Sequence, residues 1–368
     1  MTDWDREVDV AVLGSGAAGL TAALTSAVEG AAVEVFEKAA TVGGTSAVSG
    51  GVVWIPAHDR LPGRELTVAD AMRYLRAQSL GAMDDALVET FVRTGPAMLD
   101  FLEAHTGLRF HVAEGFPDYK PELRAASRRA DARSPLRPTT LGSSASGVIG
   151  LRRSRGFQQR GHRRRDPRPH SRVPRRPTRE LCVAGTALVA GLLKGLLDKG
   201  VAIHTRARAV ELIADAPGIT GVRIAFPDAT RQVRARRGVI LACGGFEWDR
   251  FLVGAFLRGP MHGPVSPPYN TGDGLRMAMA QGADLANMGE AWWVPIVQIP
   301  GDTFDGHPRS RSVRLERTRP RSIIVNRAGR RFVNEAGEYN SMAGAFHYLD
   351  PRGAMSTIRR GSCSTQCI

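Results

Sequence analysis

The sequence predicts an α/β fold, and three features near its start carry this prediction. An apolar run from Val8 to Leu13 leads into the glycine-rich stretch Gly14–Gly19, and a helical pattern of apolar residues follows. A second apolar run closes at Glu37, and a second glycine cluster spans residues 43–51. A strand, a glycine-rich turn, a helix and a second strand in this order are typical of a Rossmann-like unit that binds a dinucleotide.

The first glycine stretch has the residues that such a unit needs. Gly14 permits the tight turn, Gly16 lets the backbone approach a pyrophosphate, and Gly19 lets the helix lie close against the strand. The pyrophosphate would lie at the N-terminus of the helix, where free N–H groups and the helix dipole favour negative charge. Glu37 stands about 20 residues further on, where an acid accepts ribose hydroxyls. An ordinary glycine-rich turn is the alternative, and the flanking strands argue against it.

The second glycine cluster indicates which dinucleotide is bound. The stretch GGTSAVSGG at residues 43–51 resembles the flavoproteins of the fumarate reductase, succinate dehydrogenase and 3-ketosteroid dehydrogenase superfamily, which bind FAD. Small residues let the backbone run along a long pyrophosphate and a flat ring, while Thr45, Ser46 and Ser49 can hydrogen-bond to flavin or phosphate oxygens. Succinate dehydrogenases carry a histidine near this place that bonds covalently to the flavin. Residues 39–57 contain no histidine, so we expect noncovalent FAD.

The later part of the chain returns to the same fold. A helix is predicted in ALVAGLLKGLLDKG, and a strand over Gly238–Ala242 leads into Cys243–Gly245. The resemblance implies that this turn lies against the flavin, while Ala209 and Val210 touch the adenine side. Asp273 in the segment TGDG would contact the cofactor or nearby backbone, and a helix N-cap with turn glycines is the alternative.

The sequence thus predicts a set of residues that contact the cofactor. The predicted cofactor-binding residues are Gly14, Ser15, Gly16, Ala17, Ala18, Gly19, Glu37, Lys38, Gly43, Gly44, Thr45, Ser46, Ser49, Gly50, Gly51, Ala209, Val210, Ala242, Gly244, Gly245 and Asp273. No metal site is predicted, because the four cysteines lack the spacing of a metal-ligand set.

The substrate side is predicted from aromatic residues. The stretch EAWWVP at residues 290–295 is apolar and aromatic. Dicarboxylate reductases of the superfamily hold two carboxylates with His and Arg clusters, and no comparable pairing follows Trp292. A wall of this kind suits a flat hydrophobic substrate, whereas buried core tryptophans are the alternative.

Two tyrosines match places where 3-ketosteroid Δ1-dehydrogenases carry active-site tyrosines. They are Tyr119 in FPDYKPEL and Tyr339 in NEAGEYNSM. The resemblance implies that a hydride leaves a ring carbon for the flavin while a tyrosinate takes a proton from the neighbouring carbon. Tyr339 is then the candidate base and Tyr119 its supporting partner, because a phenol with a pKa near ~10 is a poor base alone. Ordinary surface or core tyrosines are the alternative.

The resemblance also implies a domain organisation. We expect a Rossmann-like FAD-binding domain at residues 1–123 and 180–285, with an inserted, truncated α+β substrate domain at residues 286–350. The segments at residues 124–179 and 351–368 do not fit this pattern, and we expect no secondary structure in the first of them.

The chain's net charge of +14 belongs almost entirely to one segment. Residues 124–179 hold seventeen Arg, no Lys and two Asp, so the rest of the chain is close to neutral. One interpretation is an arginine-rich arm that binds RNA or DNA. The other is translation of GC-rich DNA in a shifted frame, which also yields Arg, Ala, Pro, Ser and Gly. We favour the frame error over a nucleic-acid-binding arm, because lysine is missing, and it also explains residues 351–368.

The expected activity is that of a 3-ketosteroid dehydrogenase-like enzyme, acting on a small hydrophobic ketone such as a steroid and on an external electron acceptor. A fumarate reductase-like flavoprotein is the alternative. The family's third tyrosine, its carbonyl-polarising glycine N–H and a further glycine-rich flavin segment have no counterpart in the 368 residues. We therefore expect an enzyme that is impaired or inactive in turnover, since losing such donors costs factors of about 100 or more in rate. An acidic N-terminal stretch and the lack of a long apolar run predict a cytoplasmic protein without a membrane span.

Overall fold

The computed structural model describes most of the chain. The described residues are 3–60, 66–113, 118–120, 123, 148–151, 184–216, 218–258, 261–314, 316–326, 328–348 and 366–367, with the backbone alone at 148–151 and 366–367. The expectations for residues 124–147, 152–179 and 351–365 therefore lie outside the described residues.

Helices and strands alternate over residues 6–79, and four consecutive strands lie between residues 202 and 241. The strands are β1 (Arg6–Leu13), β2 (Val33–Phe36), β3 (Val53–Trp54), β4 (Phe110–Val112), β5 (Val148–Leu151), β6 (Ala202–His204), β7 (Arg208–Asp215), β8 (Gly218–Ala225), β9 (Thr230–Leu241), β10 (Pro295–Phe304), β11 (His307–Ser312) and β12 (Gln366–Cys367). The helices are α1 (Ala17–Val28), α2 (Gly44–Val48), α3 (Val68–Ser79), α4 (Asp85–His105), α5 (Ala184–Asp198), α6 (Arg250–Phe256), α7 (Asp273–Ala280) and α8 (Ala343–Phe346), and a short 3-10 helix covers Glu316–Thr318.

The chain forms two compact units. The first contains residues 1–48, 80–82 and 196–368, and the second contains residues 49–79 and 83–195. The second unit is therefore an insertion in the sequence of the first. The predicted domain boundaries at residues 123, 179, 285 and 350 stay predictions.

A six-stranded sheet in the order β6-β2-β1-β9-β8-β7 is the centre of the first unit. Strands β6, β2, β1 and β9 pair in parallel, and β9, β8 and β7 pair in antiparallel. The last six residues of β1 are all buried, as expected for a central parallel strand that is covered on both faces. Helix α1 follows β1 directly and buries Gly19, Leu20, Ala23 and Leu24, the spacing of one helical face. This is the α/β, Rossmann-like arrangement that the sequence predicts.

A second, antiparallel sheet in the order β11-β10-β12 belongs to the same unit. Trp293 and Val294, just before β10, and Ile296 within it form an apolar cluster with Ala343 of α8. Tyr339, which is partly buried, packs against this cluster. The region around Tyr339 and the two tryptophans therefore has an apolar core of its own.

The second unit combines helices α3 and α4 with a three-stranded antiparallel sheet in the order β3-β5-β4. Asp84 is the N-cap residue of helix α4, and its carboxylate accepts hydrogen bonds from the backbone N–H groups of Ala86 and Leu87. Ala71 and Met72 of α3 pack against Val92 of α4 in a buried cluster. This unit therefore has its own core.

One local expectation needs correction. Strand β5 at Val148–Leu151 lies inside the segment for which no secondary structure was expected, because the short apolar run VIGL finds backbone partners in β3 and β4. In the segment at residues 351–368, Gln366 and Cys367 pair with the start of β10. Around Gly329, a bridge joins Val325 and Arg331. Within the described ranges, no helix is both long enough and apolar enough to cross a membrane.

Candidate functional site

The N-terminus of α1 is shaped to receive an anion. Gly16 precedes the helix in an extended conformation and provides no side-chain cap, and the first turn contains no acidic residue. The first N–H groups of a helix have no intrahelical partner and carry the positive end of the helix dipole. The N–H group of Ala17 donates to Ser46 Oγ at 3.0 Å, which ties the second glycine cluster to this turn. These features fit a pyrophosphate group.

Two glycines of the turn are required by close contacts. A Cβ on Gly14 would lie 2.2 Å from the carbonyl oxygen of Ala242, and a Cβ on Gly19 would lie 2.1 Å from the carbonyl oxygen of Gly14. The nearest atom to a Cβ on Gly16 is Ser46 Oγ at 3.5 Å. Gly14 and Gly19 therefore serve internal packing against the end of β9 and within the turn. Gly16 has room beside its backbone, as the predicted approach of a pyrophosphate requires.

Glu37 connects both glycine-rich segments. Its Oε2 accepts from the Ser15 hydroxyl at 2.6 Å and from the Ser15 N–H at 3.0 Å. Its Oε1 accepts from the Ala39 N–H at 2.8 Å, and Ser15 Oγ in turn accepts from the Gly43 N–H at 2.9 Å. A carboxylate offers about four acceptor positions, so one remains beyond these three bonds. The predicted bond from Glu37 to a ribose hydroxyl stays a prediction.

Asp273, the first residue of α7, lies between two cations. It accepts from Lys38 Nζ at 2.9 Å and pairs with both Nε and Nη2 of Arg208, at 3.1 and 2.9 Å. Burial raises the pKa of the Asp273 carboxyl, but the bonds from Arg208 and Lys38 outweigh it and hold the pKa below its usual value. Asp273 thus links Lys38, two residues after β2, to Arg208 at the start of β7, next to Ala209, which is buried, and Val210, which is exposed. Its predicted contact with the cofactor stays a prediction.

The turn after β9 lies against the first glycine-rich turn. The Ala242 N–H donates to the carbonyl oxygen of Leu13 at 2.8 Å, and Cys243 Sγ donates to the same oxygen at 3.4 Å. Burial raises the pKa of the Cys243 thiol to about 11. A Cβ on Gly274 would lie 3.0 Å from Cys243 Sγ, which explains why glycine follows Asp273.

A polar network that the sequence analysis missed extends from this turn to the second glycine cluster. Asn270 Nδ2 donates to Glu247 Oε1 at 2.7 Å and to Thr45 Oγ1 at 3.0 Å. Ser266 Oγ also donates to Glu247 Oε1, at 2.5 Å. These residues are far apart in sequence, and no spacing pattern in the sequence indicates that they meet.

The remaining residues of the second glycine cluster lie in the second unit. Ser49 Oγ accepts from the Gly51 N–H at 3.1 Å, and the Ser49 carbonyl accepts from the Gly185 N–H at 3.1 Å. Gly50 and Gly51 thus continue into a segment tied to the start of α5. Their role toward a cofactor stays a prediction.

Tyr339 and its neighbour Asn340 are hydrogen-bonded to the two tryptophans of residues 290–295. Trp292 Nε1 donates to the Tyr339 hydroxyl at 3.0 Å, and the Trp293 N–H donates to Asn340 Oδ1 at 2.7 Å. The two tryptophans therefore differ: Trp293 is buried, whereas Trp292 is 73% exposed. Trp293 is therefore a core residue, and a substrate-facing role for the exposed Trp292 stays a prediction.

The loop before Tyr339 is fixed by buried charged groups that sequence reasoning did not single out. Arg317 Nη1 donates to the carbonyl oxygens of Glu335 and Gly337, the latter at 2.8 Å. Burial lowers the pKa of the Arg317 guanidinium. The Glu335 carboxylate accepts from the Ile324 N–H at 2.7 Å, and the bond from Arg331 lowers the pKa of Glu335 to about 2. Buried hydrogen bonds of this kind restrict where Tyr339 can go.

Tyr119 lies in the second unit. Its neighbour Asp118 is buried and accepts from Trp54 Nε1 at 2.8 Å, and the Lys120 N–H donates to the Tyr74 hydroxyl at 3.3 Å. Tyr339 belongs to the first unit, so the pairing of Tyr119 with Tyr339 stays a prediction.

Comparison with known proteins gives the family. The FAD binding domain family matches residues 9–357. The 4-oxocyclohexanecarboxylate 2-dehydrogenase of Sinomonas cyclohexanicum is 40% identical over 353 residues, covering 91% of this chain and 60% of that protein. The 3-oxosteroid 1-dehydrogenase of Mycobacterium tuberculosis (strain ATCC 25618 / H37Rv) is 33% identical over 367 residues, covering 91% of this chain and 63% of that protein. The chain thus spans somewhat less than two thirds of the length of these relatives.

A solved structure agrees with these relatives. The 3-ketosteroid delta1-dehydrogenase from Sterolibacterium denitrificans, in complex with 1,4-androstadiene-3,17-dione, superposes with a TM-score of 0.73 at 26% identity, covering 93% of this chain and 66% of that chain. The family match at residues 9–357 includes both glycine-rich segments. The cofactor is FAD, and the chain belongs to the FAD binding domain family.

Proposed function

We propose that this chain is part of an FAD-dependent oxidoreductase that dehydrogenates a cyclic ketone beside its carbonyl group. The observation that carries the proposal is the hydrogen bond from Trp292 Nε1 to the Tyr339 hydroxyl, which holds a potential base at an exposed aromatic surface. The relatives act on a monocyclic oxo acid and on oxosteroids according to their names, and a ring ketone is what these substrates share.

The proton-accepting role falls to Tyr339. An indole N–H can only donate, so it supports a phenolate oxygen more strongly than a phenol oxygen. The bond from the Trp293 N–H to Asn340 and the anchoring by Arg317 keep the Tyr339 backbone in place. Tyr119 is proposed as the supporting tyrosine.

The substrate ring is proposed to lie on the exposed face of Trp292. Flat apolar rings favour stacked or edge contacts with an aromatic side chain. A proton passes from a ring carbon to Oη of the Tyr339 tyrosinate, giving neutral tyrosine, and a carbon–carbon double bond forms as a hydride leaves the neighbouring carbon. Bound FAD supplies the two-electron acceptor for that hydride, and an external acceptor takes the electrons afterwards.

Parallel assays under anaerobic conditions test the proposal. The purified chain, loaded with FAD and supplied with an artificial electron acceptor, is offered a 3-ketosteroid, 4-oxocyclohexanecarboxylate, or no substrate. We expect ketone-dependent reduction of the acceptor and an unsaturated product by mass spectrometry. The ketone that reacts faster identifies the substrate class.

The same preparation tests the alternatives. Reduction of fumarate by the chemically reduced protein, without any reaction of ketones, would replace the proposal with a fumarate reductase-like function. The other alternative, an arginine-rich nucleic-acid-binding protein, depends on residues 124–179, which lie largely outside the described ranges. Steeply salt-dependent RNA binding, without ketone-dependent reduction of the acceptor, would support it.

A further inference from the structure

In the polar network beside the second glycine cluster, each group has a defined role as hydrogen-bond donor or acceptor. Trp248 Nε1 donates to Ser266 Oγ at 3.1 Å, and Ser266 Oγ donates to Glu247 Oε1 at 2.5 Å. Asn270 Nδ2 donates to the same Glu247 oxygen at 2.7 Å. A carboxylate only accepts hydrogen bonds, so it requires a hydroxyl and an amide NH₂ group as neighbours. Glu247 therefore determines which end of the Asn270 amide faces it.

The orientation of Asn270 in turn determines what Thr45 can do. The amide nitrogen has two hydrogens, and one goes to Glu247 Oε1 while the other goes to Thr45 Oγ1 at 3.0 Å. Because Thr45 Oγ1 accepts from Asn270, its own hydroxyl hydrogen is free to donate in another direction. The Thr45 side chain is exposed on α2, in the cluster that the sequence assigns to the cofactor.

The turn after β9 lies close to both polar side chains of the network. A Cβ on Gly244 would lie 2.7 Å from Asn270 Oδ1, and a Cβ on Gly245 would lie 2.4 Å from Glu247 Oε2. The backbone of the turn after β9 therefore covers both polar side chains. The Trp248 N–H also donates to the Asn270 carbonyl oxygen at 3.0 Å, which fixes the Asn270 backbone.

We propose that Glu247 is a positioning residue that, through Asn270, commits the Thr45 hydroxyl to donating a hydrogen bond to an acceptor atom of FAD. The proposal rests on FAD binding and does not depend on which substrate the protein oxidises. The acceptor belongs either to the pyrophosphate or to the flavin ring, and both carry oxygens that accept such a bond.

The test measures the dissociation constant of FAD for the full chain, by flavin fluorescence, in variants that fold as judged by their melting temperature. Thr45→Val removes the hydroxyl, and we expect its FAD dissociation constant to rise by about 3- to 10-fold, the size of one net hydrogen bond. Glu247→Leu removes the acceptor that orients Asn270, so the amide can rotate and take the Thr45 hydrogen. We expect the same rise.

Three further variants separate positioning from simple disruption. Glu247→Gln can keep an oxygen facing Asn270 and should bind FAD like the wild type. Ser266→Ala removes another partner of Glu247 without affecting Asn270 and is the matched control. Asn270→Asp places a second carboxylate against Thr45 and should weaken FAD binding even if Glu247→Leu does not fold.

The double variant Thr45→Val/Glu247→Leu gives the deciding result. If Glu247 acts through Thr45, the double variant binds FAD no more weakly than Thr45→Val alone. Equal additional weakening by Glu247→Leu in both backgrounds, or no effect of Thr45→Val on FAD binding, would overturn the proposal. The dissociation constant of ADP, measured by isothermal titration calorimetry on the same variants, identifies the acceptor: a penalty seen with both ligands assigns it to the pyrophosphate, and one seen with FAD alone assigns it to the flavin portion.

Discussion

At the scale of single residues, the strictest requirements come from backbone atoms that approach a glycine. Gly14 has φ +107° and its missing Cβ would lie 2.2 Å from the carbonyl oxygen of Ala242. Gly30 also has a positive φ, +83°, but no atom lies within 4 Å of the Cβ position. Comparing alanine substitutions at the two glycines therefore distinguishes the free-energy cost of an unusual φ from that of a steric clash.

Gly14→Ala should lose more than about 2 kcal/mol of unfolding free energy, since strain and overpacking add, and should bind FAD poorly. Gly30→Ala carries only the backbone strain and should lose about 1 kcal/mol, with FAD binding unchanged. Urea unfolding and FAD titration of both variants check this. Equal losses of stability in the two variants would show that the contact with Ala242 is unimportant.

Cys243 gives a second prediction at this scale. Burial raises the pKa of its thiol to about 11, so at pH 8 only about one molecule in a thousand carries the reactive thiolate. We expect the peptide containing Cys243 to resist alkylation by a maleimide in the folded protein and to be labelled fully in urea. Mass spectrometry of the digested protein distinguishes the two states, and rapid labelling of folded protein at pH 8 would contradict the buried environment.

At the scale of elements, Asp273 joins α7 to Lys38, two residues after β2, and to Arg208 at the start of β7. Its carboxylate has a lowered pKa because Arg208 and Lys38 donate to it. The stabilisation is therefore present above the carboxyl's unfolded pKa, near ~4, and is lost as the pH falls through the lower folded value. Asp273→Asn should lose roughly 1–3 kcal/mol at pH 7, and the difference from wild type should narrow below about pH 4.

Thermal unfolding between pH 7 and pH 3 measures this difference. Asp215→Asn, at the exposed end of β7, is a matched control and should follow the wild type across the range. A difference between Asp273→Asn and wild type that stays constant with pH would mean that charge pairing is not the source of the stabilisation.

Elements also show where sequence reasoning succeeds and fails. The first turn and the start of α7 are predictable because each is specified by a few adjacent residues, Gly14–Gly19 and TGDG. The bonds between Asn270 and Thr45, and between Ser15 and Gly43, join residues that come together only after the sheet has formed. Strand β5 was missed for the same reason, because its partners β3 and β4 lie far from it in sequence.

At the scale of the whole molecule, the fold and the cofactor follow from the first 51 residues and are confirmed by the family match. The substrate is less determined, because Tyr119 and Tyr339 lie in different units and the relatives differ in the size of their ketones. The expectation that these 368 residues are impaired or inactive in turnover stays a prediction. It is checked by comparing their rate with that of a full-length relative under the same conditions.

The central claim is that bound FAD takes electrons from a cyclic ketone with Tyr339 as the base. The most direct measurement is the loss of yellow flavin absorption when the FAD-loaded chain is mixed anaerobically with the ketone, for wild type, Tyr339→Phe and the exposed-tyrosine control Tyr348→Phe. We predict bleaching in wild type and Tyr348→Phe, and at least a 100-fold slower reaction in Tyr339→Phe with FAD content unchanged, as expected for removal of a general base. Bleaching of Tyr339→Phe at the wild-type rate, or no bleaching of wild type by either ketone, would contradict the account.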